Sequence, residues 1–356
     1  MDKGKNMKRI KFGFVVILLI MISTGCGSFM VDPTPKKPLI PLDELKGKIV
    51  FSSDREEGYA TKERIYMVDA NGIGLKALSA SHLTMDSGEA KVIRDMYPCW
   101  TPDGKKIIYL QETYIKPSQY KQSYWMMNID GDDRKCLVNY YCDTIYSLGD
   151  MSLSPDGSTI VARLLSMRGP RPLLLIKDIY AETRYETIAL GEYFGKPRWA
   201  SDGKKVVFFG FSGRGIQANH DIFTIDNDGT NLQKLTSHPA RDADPAFSPD
   251  GKQIAFISGR SGGDHVFIMD ADGGNVRQVT SGRFHCNSPV WSPDGKLIAY
   301  CRSAISPAQG HEIWVTTVDG TMERSITTTV QVSDIRDGKK QGKYKKWSDD
   351  GSLDWR

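Results

Sequence analysis

The stretch FSPDGKQIAF, Phe247–Phe256, recurs almost unchanged as WSPDGKLIAY, Trp291–Tyr300. Related copies with the same Asp-Gly step occur elsewhere, and the last copy is shortened to WSDDG. The aspartates of the six copies lie 44 to 56 residues apart and are Asp103, Asp156, Asp202, Asp250, Asp294 and Asp350. Self-similarity at a spacing of about 50 residues predicts a repeat architecture in which each repeat forms one structural unit.

Each copy encodes a tight turn followed by a buried strand. Proline presets φ for a turn, aspartate bonds to its own backbone, and glycine adopts a positive φ without steric cost. After the turn, Ile254 and Phe256 occupy one face of the predicted strand, and Ala255 and Ile257 occupy the other. Because both faces are apolar, this strand is expected to lie between two neighbouring sheets.

A second phrase follows in five of the repeats, in which an apolar strand ends in Asn-Gly or Asp-Gly. Its copies are Ile65–Gly72, Tyr124–Gly131, Ile222–Gly229, Val266–Gly273 and Ile313–Gly320. These dipeptides favour a hairpin turn, and a short fourth strand follows each of them. Four antiparallel strands per repeat, with no helical segment between repeats, predict an all-β protein built as a β-propeller.

The two ends of the repeat region predict how the ring closes. Gly47–Ser53 reads as a second strand that lacks the preceding phrase, and Lys346–Gly351 reads as a first strand with little chain after it. If these segments pair, they complete one blade from both ends of the chain and leave no open edge. The sequence therefore predicts a six-bladed β-propeller of four-stranded antiparallel blades over residues 47–356, closed by its N- and C-terminal strands.

Residues Asp242–Thr280 carry both phrases in full, and this segment resembles the repeat of TolB-type β-propellers. The resemblance extends over residues 47–356, although the residues before Gly47 are too few for the α/β domain that precedes the propeller in TolB. Propellers with this repeat occur in many exported bacterial lipoproteins and in prolyl-oligopeptidase-like enzymes. The resemblance therefore implies a fold and an exported location, whereas the activity must be argued from a site.

The first 25 residues are typical of a secretion signal. Lysines precede an unbroken apolar run, Phe14–Ile22, which is too short for a transmembrane helix of roughly 20 residues. The run ends in STGCGS, which resembles a bacterial lipoprotein signal and implies cleavage before Cys26 and lipid attachment to it. Residues 26–46 contain four prolines and predict an extended, unpaired tether. Because Gly27 follows the cysteine instead of aspartate, the resemblance implies anchoring at the outer membrane, if the host has one.

Charge and cysteine content exclude several classes of function. Residues 1–25 contain five basic residues and one acid, so the formal net charge of +4 belongs to this leader and the remainder is neutral. A neutral propeller gives no reason to expect a nucleic-acid partner. The six cysteines form no CxxC pair and have no metal-ligand spacing, so no cofactor is expected. Cys286 and Cys301 flank one predicted hairpin, where either a disulfide or two free thiols fits the pattern.

Several histidines lie in segments that enter the first or third strand of a blade, and these segments open on the same face of a propeller. We expect them to share a rim with neighbouring charged residues. The last loop between blades, Arg336–Lys346, is strongly basic and is expected on that face too. The predicted partner-binding residues are His220, His238, Arg241, Asp242, Asp244, His285, His311, Lys339 and Lys340.

The sequence contains no complete catalytic set. Gly259–Gly263 fits G-x-S-x-G but lies between two predicted strands, where a hairpin loop is the simpler interpretation. Asp226–Asn231 and Asp270–Asn275 resemble parts of calcium loops but lack the acidic residue at position twelve. The leading hypothesis is a monomeric, lipid-anchored, non-catalytic module that binds a protein or glycan of the bacterial cell envelope. The alternative is a metal-dependent polysaccharide lyase or hydrolase that uses the histidine rim, because oligogalacturonate lyases resemble this repeat and use histidines with a divalent metal.

Overall fold

The structure is a computed structural model and consists almost entirely of antiparallel β-sheet. It describes residues 37–53, 63–79, 83–86, 89–116, 119–141, 146–166, 173–177, 179, 184–188, 194–212, 219–304, 311–327 and 353–356. The helix found within these ranges is one 3-10 turn, Leu42–Glu44. No helix in the described part of the chain combines the length and the hydropathy needed to cross a bilayer.

The strands of the described residues assemble into six sheets that follow one another along the chain. Sheet 1 contains β1 (Lys48–Ser53), β2 (Arg64–Asp69), β3 (Lys76–Ala77) and the C-terminal β25 (Leu353–Trp355), and sheet 2 contains β4 (Leu83–Asp86), β5 (Glu89–Trp100), β6 (Lys106–Lys116), β7 (Gln119–Asn128) and β8 (Lys135–Tyr141). Sheet 3 contains β9 (Tyr146–Leu153), β10 (Ile160–Ser166), β11 (Leu173–Lys177) and β12 (Arg184–Ile188), and sheet 4 contains β13 (Phe194–Trp199), β14 (Lys205–Ser212), β15 (Asn219–Asp226) and β16 (Gln233–Lys234). Sheet 5 contains β17 (Asp242–Phe247), β18 (Gln253–Ser258), β19 (His265–Asp270) and β20 (Arg277–Gln278), and sheet 6 contains β21 (Phe284–Trp291), β22 (Leu297–Ala304), β23 (His311–Thr317) and β24 (Glu323–Ser325).

Five of these sheets are the four-stranded antiparallel blades of a β-propeller, so the prediction of six such blades is wrong in this respect. Sheet 2 has five strands because β4 folds back along the extended start of β5, where Leu83 pairs with Val92 and Asp86 with Glu89. The repeat pattern did not reveal β4, since it is an insertion before the first repeated phrase. We call the end of the sheets where the first strands begin the upper face, and the opposite end, with the Asp-Gly turns, the turn face.

The strand that pairs with β1 lies closer to the C-terminus than the sequence predicted. In β25, Leu353 pairs with Phe51 and Trp355 with Ile49. Trp355 thus occupies the place that Trp291 has opposite Ile298 in sheet 6. The predicted strand Lys346–Gly351 ends before β25 begins and lies outside the described residues. The final LDWR, and not WSDDG, supplies the first strand of sheet 1.

Apolar clusters fill the interfaces between successive sheets, as the two-faced strands predicted. In β18, Ile254 and Phe256 pack with sheet 4, whereas Ala255 and Ile257 pack with sheet 6. All four side chains are buried. One cluster also joins sheet 6 to sheet 1, in which Val290 and other sheet 6 residues pack with residues of β1, β2 and β25. Burial on both faces explains why the second strand of each repeat does not alternate between apolar and polar residues.

Residues 37–46 do not form the unpaired chain that their prolines predicted. Ile40 is completely buried and Leu45 nearly so, in the cluster between sheets 6 and 1. The outer strand β24 holds this segment, since Glu323 N donates to Pro38 O at 3.0 Å and Arg324 Nε donates to Ile40 O at 2.6 Å. We call residues 37–46 the strap, because they cover the seam where the two ends of the chain meet.

The cysteines of sheet 6 are free thiols, as are the other described cysteines. Cys286 pairs with Arg302, and Asn287 pairs with Cys301, so the two cysteines occupy adjacent register positions. Their side chains therefore point to opposite faces of the sheet, where Cys286 packs toward sheet 5 and Cys301 toward sheet 1. This geometry rules out the disulfide that the hairpin had suggested.

Candidate ligand-binding site

The first strands of four sheets contain a bulge at a proline. In β21, Ser288 and Pro289 both lie opposite Tyr300, because the pairing shifts between Asn287 and Val290. Proline has no N–H for the ladder, so a bulge is one of the few places where a strand accepts it. The residue before the proline has a φ of 50 to 53° in all four strands, at Tyr97, Lys196, Asp244 and Ser288. Together with Asp150, at the corresponding position of sheet 3, we call these the bulge residues.

Three bulge residues and their neighbours line a pocket of about 380 Å³ at the upper face of sheets 3 to 6. Its lining residues are Asp150, Arg163, Lys196, Phe209, Arg241, Asp244, Ile257, Asp264, His285, Cys286 and Asn287. A bulge redirects the side chain of the extra residue, which brings charged groups from separate blades into one space. The volume lies within the range of roughly 300–1,000 Å³ found for small-ligand sites.

Lys196 lies at the centre of a buried charge cluster. Its Nζ donates a hydrogen bond to Ser288 Oγ at 3.1 Å and lies 3.9 Å from Asp150 Oδ1 and 4.0 Å from Asp244 Oδ2. The lysine side chain is only 15% exposed, and the two carboxylates are less exposed still. Arg163 Nη2 completes the cluster at 3.1 Å from Asp150 Oδ2. Buried carboxylates require such partners, since an isolated charge is costly to remove from water.

The environment of Asp150 keeps it ionised. Burial by itself raises the pKa of this carboxyl, but Arg163, Lys196 and Arg198 together outweigh burial and leave the pKa below its ordinary value of 3.8. The Asp244 carboxylate has a backbone partner in addition to Lys196, because Ser288 N donates a hydrogen bond to its Oδ2 at 3.0 Å. The inner wall of the pocket is thus a set of alternating fixed charges contributed by sheets 3, 4 and 5.

The rim of the pocket is more exposed and connects two predicted histidines. Arg241 Nε donates to His220 Nδ1 at 3.2 Å, and its Nη1 lies 3.5 Å from Asp264 Oδ2. His285 Nδ1 accepts from Asp264 N at 3.4 Å and lies 3.8 Å from the Asp264 carboxylate. His220 also contacts the rings of Phe209 and Phe211. Burial first, and the Arg241 charge second, lower the pKa of His220 below 6.5.

The structure brings together four of the predicted residues, namely His220, Arg241, Asp244 and His285. His220 and His285 lie within β15 and β21 instead of in loops, because backbone pairing continues past the apolar residues, as in Phe211 with His220. His238 lies in the nearby loop, where its Nδ1 accepts from Ala240 N. His311 begins β23, but its side chain lies outside the described part of the chain, as do Cys26, Lys339 and Lys340.

The prediction that Asp242 contacts a partner needs correction. Asp242 is completely buried, and both of its oxygens accept from Arg260 Nη2, at 3.1 and 3.0 Å. The Arg260 guanidinium also lies 5.1 Å from the ring centre of Phe267. Asp242 therefore holds sheet 5 together and is out of reach of a ligand on the rim. The bulge explains this, because residues two apart in a regular strand share a face, whereas the bulge at Asp244 turns its side chain away from the direction of Asp242 and toward the pocket.

Sequence reasoning missed Asp150, Arg163, Lys196, Asp264 and Asn287. A signal for one of them was present, because Lys196 is the residue before proline in its repeat, just as Asp244 and Ser288 are in theirs. Aligning the repeats on this proline would have placed these positions in one ring. No comparable signal existed for Arg163, which lies on the second strand of sheet 3 and reaches Asp150 through a register shift between Ala162 and Leu164.

The motifs that resembled other sites are turns. Gly259–Gly263 lies in the loop between β18 and β19, and the two calcium-like segments are the hairpin turns after β15 and β19. Asp226 and Asp270 bond to Asn231 and Asn275 of their own turns. Within the described ranges, no group of three or more histidine, cysteine or acidic side chains has the geometry to hold a metal ion.

Stability is expected to fall as the pH drops below about 6.5, partly through His265. This histidine is 4% exposed, and burial, followed by nearby His285, lowers its pKa below 6.5 against the opposing charge of Asp264. Below this pH the unfolded chain binds a proton at this histidine and the folded chain does not. The free energy of unfolding therefore falls with decreasing pH, with a limiting slope of about 1.4 kcal/mol per pH unit. Urea unfolding from pH 7.5 to 5.0 should show a smaller decline for His265→Leu than for wild type.

The matched control for this measurement is His285→Leu, whose side chain is 49% exposed in the wild type. This variant should retain most of the wild-type decline. Identical pH dependence for wild type and His265→Leu would contradict the assignment of the effect to the buried ring.

Comparison with known proteins agrees with this architecture. The chain matches the family described as the TolB beta propeller domain over residues 113–334, which is more than half of its length, and it belongs to that family. It is 33% identical over 115 residues to a protein TolB homolog of Chlorobium luteolum, covering 32% of this chain and 24% of the relative. The chain thus spans about a quarter of that relative's length.

Solved structures show the same fold at lower identity. TolB from Acinetobacter baumannii superposes with a TM-score of 0.61 at 21% identity, covering 86% of this chain and 65% of that chain. An oligogalacturonate lyase in complex with manganese superposes with a TM-score of 0.53 at 14% identity, covering 85% and 79%. At these identities the likeness establishes the propeller fold, and the function has to be argued from the site.

Proposed function

We propose that this protein is an exported binding module of the bacterial cell envelope, which holds a protein or glycan ligand at the pocket on the upper face. The observation that carries the proposal is the convergence on one pocket of charged residues from sheets 3, 4 and 5 with the polar residues His285 and Asn287 of sheet 6. The proposal includes a closed ring of six blades, supported by the pairing of β25 with β1 and by the cluster between sheets 6 and 1. It also includes function as a monomer.

The same proposal places the propeller on the periplasmic side of a membrane, anchored by lipid on Cys26 after removal of residues 1–25. Support comes from the lipoprotein-like STGC sequence and from membership in the TolB propeller family. The basic residues Lys339 and Lys340 would add a second contact to an acidic partner. The anchor reaches the propeller through the strap, which binds the outer edge of sheet 6.

A non-catalytic role fits the chemistry of the pocket better than a lyase. A metal-dependent lyase needs converging ligands, whereas the Arg241 guanidinium lies between His220 and Asp264 and bonds to both. The three acidic side chains of the pocket each have a cationic partner within 4 Å. Groups paired in this way are suited to fixed recognition of a ligand, since their charges are already oriented before the ligand arrives.

The test is capture from a solubilised envelope extract with the purified propeller and two charge-reversal variants. Arg241→Glu changes a rim side chain that is 47% exposed, and Lys204→Glu changes an exposed residue of the turn face. We expect wild type and Lys204→Glu to retain the same ligand, and Arg241→Glu to retain at least tenfold less. Equal capture by all three proteins, or turnover of polygalacturonate by the purified propeller with bound metal, would overturn the proposal.

A further inference from the structure

The charges of the pocket cancel one another. Three carboxylates, Asp150, Asp244 and Asp264, face three cations, Arg163, Lys196 and Arg241. The pairs lie 3.1 to 4.0 Å apart. A carboxylate ligand that approached Lys196 would also approach the carboxylates of Asp150 and Asp244. An ammonium ligand that approached either of these carboxylates would likewise approach the Lys196 ammonium. Like charges at such distances oppose binding, so the pocket discriminates against ligands of either sign.

Hydrogen-bonding capacity nevertheless remains at the same place. Asn287 lines the pocket, and its buried Oδ1 has no hydrogen-bond partner among the described residues. Within the same part of the chain, Lys196 Nζ makes one hydrogen bond, to Ser288 Oγ, although an ammonium has three donors. His285 accepts at Nδ1, which leaves Nε2 as a donor. A buried polar atom without a partner is costly, and a ligand that supplies the missing bond gains from it.

The apolar residues of the pocket offer little surface to a ligand. Phe209 is 6% exposed, Cys286 2% and Ile257 1%. Protein partners usually insert an aromatic or aliphatic side chain into an apolar cavity, and this pocket offers less apolar than polar surface for such a contact. The pocket therefore offers a ligand hydrogen-bond donors and acceptors, and its charged side chains sum to zero net charge.

We infer that the pocket binds an uncharged polyhydroxylated group, that is, a neutral saccharide unit. A hydroxyl both donates and accepts, so neighbouring hydroxyls of a sugar ring satisfy Asn287 Oδ1 as donors and Lys196 and His285 as acceptors. Charge neutrality of the pocket removes the advantage that a uronic acid would have. This inference rests on the proposed function and narrows its ligand to a neutral glycan.

The experiment measures binding of defined trisaccharides to the purified propeller by calorimetry at low salt. The probes are cellotriose, maltotriose, the N-acetylglucosamine trimer and the galacturonic acid trimer. We expect at least one neutral trisaccharide to bind more tightly than the acidic one, with little dependence on salt. Asn287→Leu should weaken that binding at least tenfold, because it removes the amide at similar volume.

Asn227→Leu is the matched control, since Asn227 is exposed on the turn face, far from the pocket along its sheet. It should bind like wild type, and Arg241→Gln, which changes the rim without touching Asn287, should show intermediate loss. Tighter binding of the galacturonic acid trimer, or no binding of any neutral probe, would overturn the inference. If the propeller binds none of the sugars but captures an envelope protein in an Arg241-dependent way, the inference fails while the proposed function stands.

Discussion

Replacing Lys196 with methionine is expected to lower the free energy of unfolding by about 3 kcal/mol, near the lower end of the loss of about 3–5 kcal/mol that follows removal of one partner from a buried ion pair. The methionine leaves Asp244 in a nearly closed space without its cation, although Ser288 N still donates to it. Asp150 suffers less, because Arg163 remains 3.1 Å away. Urea unfolding at pH 7.5 measures the change.

Two further variants show whether the loss comes from the uncompensated carboxylate. In the double variant Lys196→Met with Asp244→Asn, the loss of unfolding free energy should be clearly smaller than the sum of the two single losses. The reason is that the double variant no longer has an ionised carboxylate at position 244 that lacks its cation. Lys205→Met is the surface control, because Lys205 is 42% exposed and pairs with Asp226 at 2.8 Å. Exposed pairs contribute no more than about 1 kcal/mol. A Lys196→Met protein as stable as Lys205→Met would refute the buried charge cluster.

Replacing Trp355 with alanine is expected to destabilise the protein by about 4 kcal/mol and to free the C-terminal strand. The indole is 4% exposed, packs between sheets 6 and 1, and donates from Nε1 to Lys46 O at 2.9 Å. Loss of a buried tryptophan typically costs about 3–5 kcal/mol. Since β25 pairs with β1 over only three residues, its place in the sheet depends on this side chain.

Trp291→Ala is the matched control for the seam. Trp291 is 6% exposed, donates from Nε1 to Ala246 O, and occupies the corresponding place in sheet 6. A covalent turn links β21 to the next strand, so its replacement should destabilise the fold without opening a blade. Hydrogen exchange distinguishes the two variants, because the β1 amides that face β25, such as Lys48 N, which donates to Arg356 O, should lose protection in Trp355→Ala and keep it in Trp291→Ala. Equal protection of β1 in both would mean that β25 is not needed to close sheet 1.

The repeat unit of the fold was readable from the sequence because its determinants are local. The Asp-Gly turns depend on residues within four positions, and those within the described residues form as expected, as in Ser248 Oγ donating to Asp250 Oδ1. The apolar character of both strand faces predicted burial between sheets, which Ile254 and Ala255 confirm. Insertions and chain ends carry no such repeated signal. For this reason the extra strand β4, the docking of the strap and the position of β25 were not predictable from the pattern.

The candidate site was predicted only in part. Arg241, Asp244, His220 and His285 were selected because their segments share one face, and they do lie together. Asp242 was selected for the same reason, but the register of β17 turns it toward Arg260. A prediction at the level of a face cannot separate Asp242 from Asp244, since residues two apart in a regular strand point to the same side and only the bulge at Asp244 makes them differ.

The sequence by itself determined the period, the turns and the burial of both faces of each second strand, because these follow from backbone preferences and hydrophobicity over a few residues. The tertiary structure decided which charges meet. Lys196 bonds to Ser288, which lies 92 positions further along the chain, and the two come together only because each precedes a proline bulge in its own sheet. Electrostatic partners are chosen by distance in space, and in a propeller that distance is set by the packing of successive sheets.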